Sequence, residues 1–256
     1  MEPLYFLTVR SKEAATVTSI NDVPLVSDSA AEGVVTDQPL NLWLMPGENV
    51  LSVFLRWPRT KEYVPGKAEA DAHVYLHDAA QDVPTPAATL ARATWPLKVG
   101  PEFYPSTIRL PFILKAPLPT TLWSEAEVVK ELTDADRRAI RTLAQNVADA
   151  CKARDVARII DLQLYKWEDM ARAEYKDFAR VRGAAVKQFE WLFTRPALKV
   201  LPLHDGLTAD LAAGGRLAIL KHPEGRNPVI LEDGADNVIE FPIYAARIKG
   251  TWKLVR

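Results

Sequence analysis

The segment Asp71-Ala72-His73-Val74-Tyr75-Leu76-His77-Asp78 gathers two imidazoles, a phenol and two carboxylates, the side chains from which metal sites and acid–base pairs are made. Its spacing argues against both. On a strand, Asp71, His73, Tyr75 and His77 share one face while Ala72, Val74 and Leu76 share the other. His73 and His77 then stand about 13 Å apart at roughly 3.3 Å per residue, and zinc bonds of about 2 Å cannot bridge that gap. On a helix the two would be neighbours, but Val74 follows His73, so the H-E-x-x-H pattern fails. The expectation is a solvated strand face, with no metal and no cofactor.

Nucleophiles are as sparse. The single cysteine, Cys151, falls on an apolar helical stripe where a thiol behaves as a small hydrophobe, and no G-x-S-x-G elbow, Walker A sequence or dinucleotide glycine fingerprint is present. No catalytic residue is therefore assigned, which leaves only a dispersed site. Glu240 and Tyr244 fall on one face of a strand expected over Val238 to Ile248, separated by Pro242. A carboxylate base beside a phenolic donor is what enolisation requires. Between Arg172 and Arg195 the cations Lys176, Arg180, Arg182 and Lys187 are interrupted by Glu174, Asp177 and Glu190, the pattern of a solvated helix face.

Two modest domains are needed to position these groups in 256 residues, since a domain takes roughly 150. Lys+Arg 32 against Asp+Glu 33 leaves a net charge of -1, without the field by which nucleic-acid binders attract phosphates. No nucleic-acid partner is expected. With 48% hydrophobic and 25% charged residues the composition is globular, and no apolar run approaches the roughly 20 residues of a membrane span. Met1-Glu2-Pro3 does not open a signal peptide. As given, the chain is expected in the cytoplasm, or in the periplasm if a signal peptide was removed.

Short runs rich in β-branched and aromatic residues predict strands over Leu4 to Val9, Ala15 to Ile20, Leu40 to Leu44, Val50 to Leu55, Ala72 to His77, Ala88 to Trp95 and Ser106 to Leu114. About seven strands without helical patterning favour a β-sandwich over residues 1–115. Prolines 117 and 119 mark a linker over 116–132. From Thr133, an N-cap, the pattern turns helical; Asp155 caps a second helix, and a third runs from about Glu174 to Phe193. Six strand segments between Leu198 and Val255 follow.

Three stretches, Ala153 to Ile160, Phe189 to Leu203 and Lys249 to Arg256, resemble in that order the second helix, the third helix with its following strand, and the closing hairpin of the NTF2-like (SnoaL and ketosteroid-isomerase-like) superfamily. The resemblance implies that residues 133–256 form an α+β cone, three helices packed on a curved antiparallel sheet around a pocket. Its lining would draw on Tyr165, His204, Glu240, Tyr244 and Trp252. Members of that superfamily include isomerases, cyclases, dehydratases and proteins that only bind, so the fold does not decide the activity. The Pro46 to Val53 segment gives the first domain a fainter likeness to accessory jelly-roll sandwiches.

The leading expectation is a non-catalytic binding protein of immunity or envelope-adaptor type with a protein partner; a homodimer is left open. One alternative is an enzyme acting on a small apolar ligand in the second-domain pocket. Another is carbohydrate recognition by the sandwich, on an exposed platform around Trp43, Trp57 or Trp95.

Overall fold

The computed structural model describes residues 2–28, 33–56, 68–96, 106–115, 118–234 and 237–256. The chain divides into two compact units, Met1–Pro119 and Thr120–Arg256. Of the segment expected as a linker, residues 120–132 belong to the second unit, where Leu122, Trp123, Val129 and Leu132 are buried. Trp57, proposed for a carbohydrate platform, lies outside the described residues.

The first unit contains β1 (Tyr5–Lys12), β2 (Ala15–Ile20), β3 (Val23–Asp28), β4 (Val34–Pro39), β5 (Glu48–Arg56), β6 (Glu69–His77), β7 (Pro86–Pro96) and β8 (Ser106–Ile113). They form two antiparallel sheets, β4-β1-β6-β7 and β3-β2-β5-β8, an arrangement consistent with a β-sandwich. Alternation drives it: Tyr5, Leu7 and Val9 point into a core shared with Leu51, Val53, Leu55, Ala72 and Val74. The strand expected at Leu40 to Leu44 is a turn instead. Side-chain amides hold it there, since the Tyr5 N–H donates to Asn41 Oδ1 at 2.8 Å and the Met45 N–H to Asn49 Oδ1 at 2.8 Å.

The polar face of β6 also departs from expectation. Asp71, His73, Tyr75 and His77 do share one face, but that face is not fully solvated: Tyr75 is only 1% exposed, covered where its ring stacks on Phe6 and packs against His73 and its hydroxyl accepts from Thr8. His73 Nε2 meets Thr89 Oγ1 at 2.8 Å, while His77 Nδ1 accepts the Thr85 N–H at 3.1 Å. The two imidazoles serve separate local contacts. No group of three or more His, Cys, Asp and Glu side chains is placed to hold a metal among the described residues.

The second unit corrects the expected cone. It contains α1 (Leu122–Glu125), α2 (Asp134–Lys152), α3 (Val156–Leu162), α4 (Leu164–Ala173) and α5 (Phe178–Phe193), followed by β9 (Leu198–Val200), β10 (Thr208–Ala212), β11 (Leu217–Lys221), β12 (Val229–Asp233), β13 (Asn237–Phe241), β14 (Ile243–Ile248) and β15 (Thr251–Leu254). These strands make two antiparallel sheets, β10-β11-β14-β15 and β13-β12-β9, and not one curved sheet under three helices. Overall the chain is β-rich, with 15 strands in four antiparallel sheets and five helices among the described residues.

Two local causes account for the difference. Pro242 has no N–H and ends the long strand expected over Val238 to Ile248, so that β13 pairs only with β12 while β14 joins β11 and β15. The helix expected from Glu174 to Phe193 starts later, as α5 at Phe178, and a separate α4 precedes it, because Tyr175 adopts a left-handed conformation with φ 52. There the Lys176 N–H donates to Ala171 O and the Tyr175 N–H to Arg172 O, a Schellman closure of α4. Asp177 then caps α5 by accepting from the Arg180 N–H at 2.9 Å. No helix among the described residues is long and apolar enough to cross a membrane.

Candidate functional site

The break at Tyr175 sets α4 beside α5 and opens a groove between them of about 370 Å³. Helical spacing builds it. Trp167, Met170 and Glu174 recur on one face of α4, and Arg180, Ala184 and Gln188 on one face of α5, with Val181 and Ala185 completing the floor. Small side chains at 184 and 185 opposite the large Trp167 leave the hollow. Its rim carries Lys176 and Arg180 against one carboxylate, Glu174, which Lys176 engages at 2.5 Å.

The same stripe of α5 continues past the groove to Trp191, three residues beyond Gln188, and then to Arg195. Trp191 is 61% exposed although it is the largest apolar side chain on that helix. The Arg195 guanidinium lies 4.5 Å from the centre of its ring and also pairs with Asp233 at 3.0 Å, which holds cation and indole in register.

The opposite face of α4 is turned to the unit's interior. Asp169, with no exposed surface, accepts from the Thr121 N–H at 2.7 Å and from Arg256 at 2.9 Å. Arg256 is itself buried, its guanidinium 5.5 Å from the Trp123 ring centre. Burial pushes Lys166 down to about 8, with the Arg256 charge adding to the effect. Its ammonium sits 4.6 Å over the Trp167 ring and donates to Gln163 Oε1 at 3.2 Å. Gln163, Lys166 and Arg256 share a small cavity of about 20 Å³ with Pro242 and Leu254, room for about one water.

The Lys166 shift has a testable sign. An ammonium whose folded pKa lies below its unfolded value, about 10.4, is disfavoured by folding, so stability rises as pH climbs from about 8 toward 10.4. In urea unfolding, Lys166→Met should be more stable than wild type by about 1–2 kcal/mol at pH 7, and the gap should close by pH 10. Parallel pH profiles for the two chains would contradict this.

The five residues expected to line one pocket are dispersed over different contacts. The Tyr165 hydroxyl donates to Glu125 at 3.0 Å, and burial foremost raises its pKa. His204, between β9 and β10, packs edge-on against His222 at 4.8 Å while its Nδ1 accepts the Gly206 N–H. Glu240 on β13 receives Arg226 at 2.8 Å and the Asn227 N–H at 2.9 Å. Burial alone would raise that carboxyl, but these donors together hold it below its ordinary value. Tyr244 sits on β14, in the other sheet from Glu240, and burial raises its phenol. Trp252 is buried, with its indole N–H donating to Asp136 at 2.8 Å. None of the five lines the groove or the small cavity.

Cys151 is buried, and burial pushes its thiol up to about 12, far from the thiolate a nucleophile needs. What the arrangement offers is therefore contact surface: an apolar hollow with cations at its rim and a stacked Trp–Arg pair beyond it. A tryptophan at helical spacing from Arg180, Ala184 and Gln188 was the available sequence signal. Comparison of the chain with protein-family models, with curated proteins and with solved structures finds no match.

Proposed function

We propose that this chain is a non-catalytic binding protein whose second unit recognises a protein partner through the exposed stripe of α5. The observation that carries the reading is Trp191, exposed to 61% and stacked on Arg195. Trp and Arg are the residues in which interface binding energy concentrates, and an indole held by a guanidinium has little side-chain freedom left to lose on binding. Electrostatics favours binding over proton transfer. A general base works best with a pKa near the operating pH, whereas Glu240 is paired with Arg226 and held in the opposite direction. The carbohydrate alternative has weak support, since Trp43 and Trp95 are half-buried against the core of the first unit.

The reading is tested by placing a photoreactive amino acid at exposed position 188, one turn from Trp191 on the same face of α5, in cells that produce the chain. A discrete cross-linked protein is expected, suppressed by excess unlabelled wild-type chain but not by Trp191→Ser. A control at Val83, equally exposed at 65% in the first unit, should give none. Indistinguishable patterns from the two positions would overturn the reading.

A further inference from the structure

Arg180 stands at the mouth of the α4–α5 groove with no ion-pair partner among the described residues, while the other rim cation, Lys176, is already engaged by Glu174. The rim therefore carries one uncompensated positive charge over an apolar floor. A hollow of about 370 Å³ is at the small end of ligand pockets, which run from roughly 300 to 1,000 Å³. It is sized for a small molecule and not for a helix.

We propose that this groove binds a small apolar monocarboxylate, its hydrocarbon body on Trp167, Met170, Val181, Ala184 and Ala185 and its carboxylate on Arg180. The guanidinium offers a planar pair of N–H donors matched to a carboxylate. The apolar floor supplies affinity without chemistry, because removing CH₂ groups from water is favourable in proportion to their number. A cationic head would meet Arg180 and Lys176 and be repelled. A neutral head would leave the guanidinium without a counter-ion. The groove adjoins the stripe of the protein-recognition reading but does not include Trp191 or Arg195, the pair on which that reading rests.

The test is calorimetric titration of the full chain with octanoate, hexanoate, octanamide and octylammonium. Octanoate should saturate below the millimolar range and bind roughly tenfold tighter than hexanoate, as two further buried CH₂ groups require. Octanamide and octylammonium should be at least about tenfold weaker than octanoate. Arg180→Gln, an exposed helix position, should equalise octanoate and octanamide without weakening octanamide. Ala184→Phe should abolish binding of all four by filling the hollow. Trp191→Ser should leave octanoate binding intact, so that failure of the protein-recognition reading and failure of this one are distinguishable. Equal binding of octylammonium and octanoate, an Arg180→Gln chain that keeps the preference for octanoate, or no saturation with octanoate would each overturn the proposal.

Discussion

Asp169→Asn should lower the stability of the second unit by about 3–5 kcal/mol, the usual consequence of leaving a buried charge uncompensated. The substitution preserves shape, so the loss isolates charge. In the native chain the Asp169 carboxylate, fully buried, meets the Arg256 guanidinium at 2.9 Å, and only 2% of the Arg256 side chain is exposed. Burial works against the charge of that guanidinium, and Asp169 is the group that offsets it. With the carboxylate gone, Arg256 faces the Lys166 ammonium across the small cavity they both line, and two cations share one desolvated space. Arg172, 3.9 Å from Asp169 and partly exposed, can turn to solvent and adds little to the penalty.

The pair need not be worth much in total. Replacing both partners by apolar side chains of similar volume is often neutral or stabilising, so Asp169→Leu combined with Arg256→Met should recover most of what Asp169→Asn loses. Urea unfolding of the full chain, followed by fluorescence of the buried Trp123 and Trp167, measures both. A single-variant loss below about 1 kcal/mol, within the range of ordinary surface changes, would show that the ion pair is not the support described.

How much of this was legible in the sequence depends on the range of the interaction. Thr133 and Asp155 read as caps because capping acts within three residues: the Asp136 N–H donates to Thr133 Oγ1 and the Arg158 N–H to Asp155 Oδ1. The strand Ala15–Ile20 carries its own signal in Val, Thr and Ile. The closure that separates α4 from α5, and so delays the start of α5 from about Glu174 to Phe178, does not, because left-handed closures favour glycine and this one uses Tyr175, a residue type that gives no warning. Leu40 to Leu44 has the composition of a strand, and its apolar residues are buried as a strand's would be, but the Trp43 N–H turns back to Leu40 O, the Trp43 carbonyl accepts from Asn21 Nδ2, and Asn41 bonds the backbone of Pro3 and Tyr5. Pro242 is visible in the sequence, and it ends a strand by removing one backbone donor. A strand continued across it puts Glu240 and Tyr244 on one face, whereas they lie in different sheets.

The site was less legible than the fold. Tyr165, His204, Glu240, Tyr244 and Trp252 are chemically suggestive types, but each answers to a near neighbour: Glu125, His222, Arg226, the β11–β14 sheet and Asp136, respectively. The partnership of Asp169 with Arg256 spans 87 residues and leaves no local pattern. The stripe Arg180, Ala184, Gln188, Trp191 is readable at helical spacing, but only once its helix is known to start after Tyr175. A residue's exposure, on which the proposed function turns, depends on tertiary packing and is not a property of the residue type.

The second large effect concerns binding itself. An exposed Trp–Arg pair at the centre of a recognition surface should behave as a hot spot, where truncation typically costs about 2 kcal/mol or more, a loss of roughly thirtyfold in affinity. Once the protein cross-linked at position 188 is identified and purified, its affinity for the full chain and its variants is the most direct measurement of the central claim. Trp191→Ala should weaken the complex by about thirtyfold or more, mostly through faster dissociation, while Glu240→Gln, which alters a paired carboxylate on β13, should leave affinity within a few fold. If Trp191→Ala binds within about threefold of wild type, less than the threshold at which an interface residue counts as contributing, the exposed stripe of α5 is not the recognition surface.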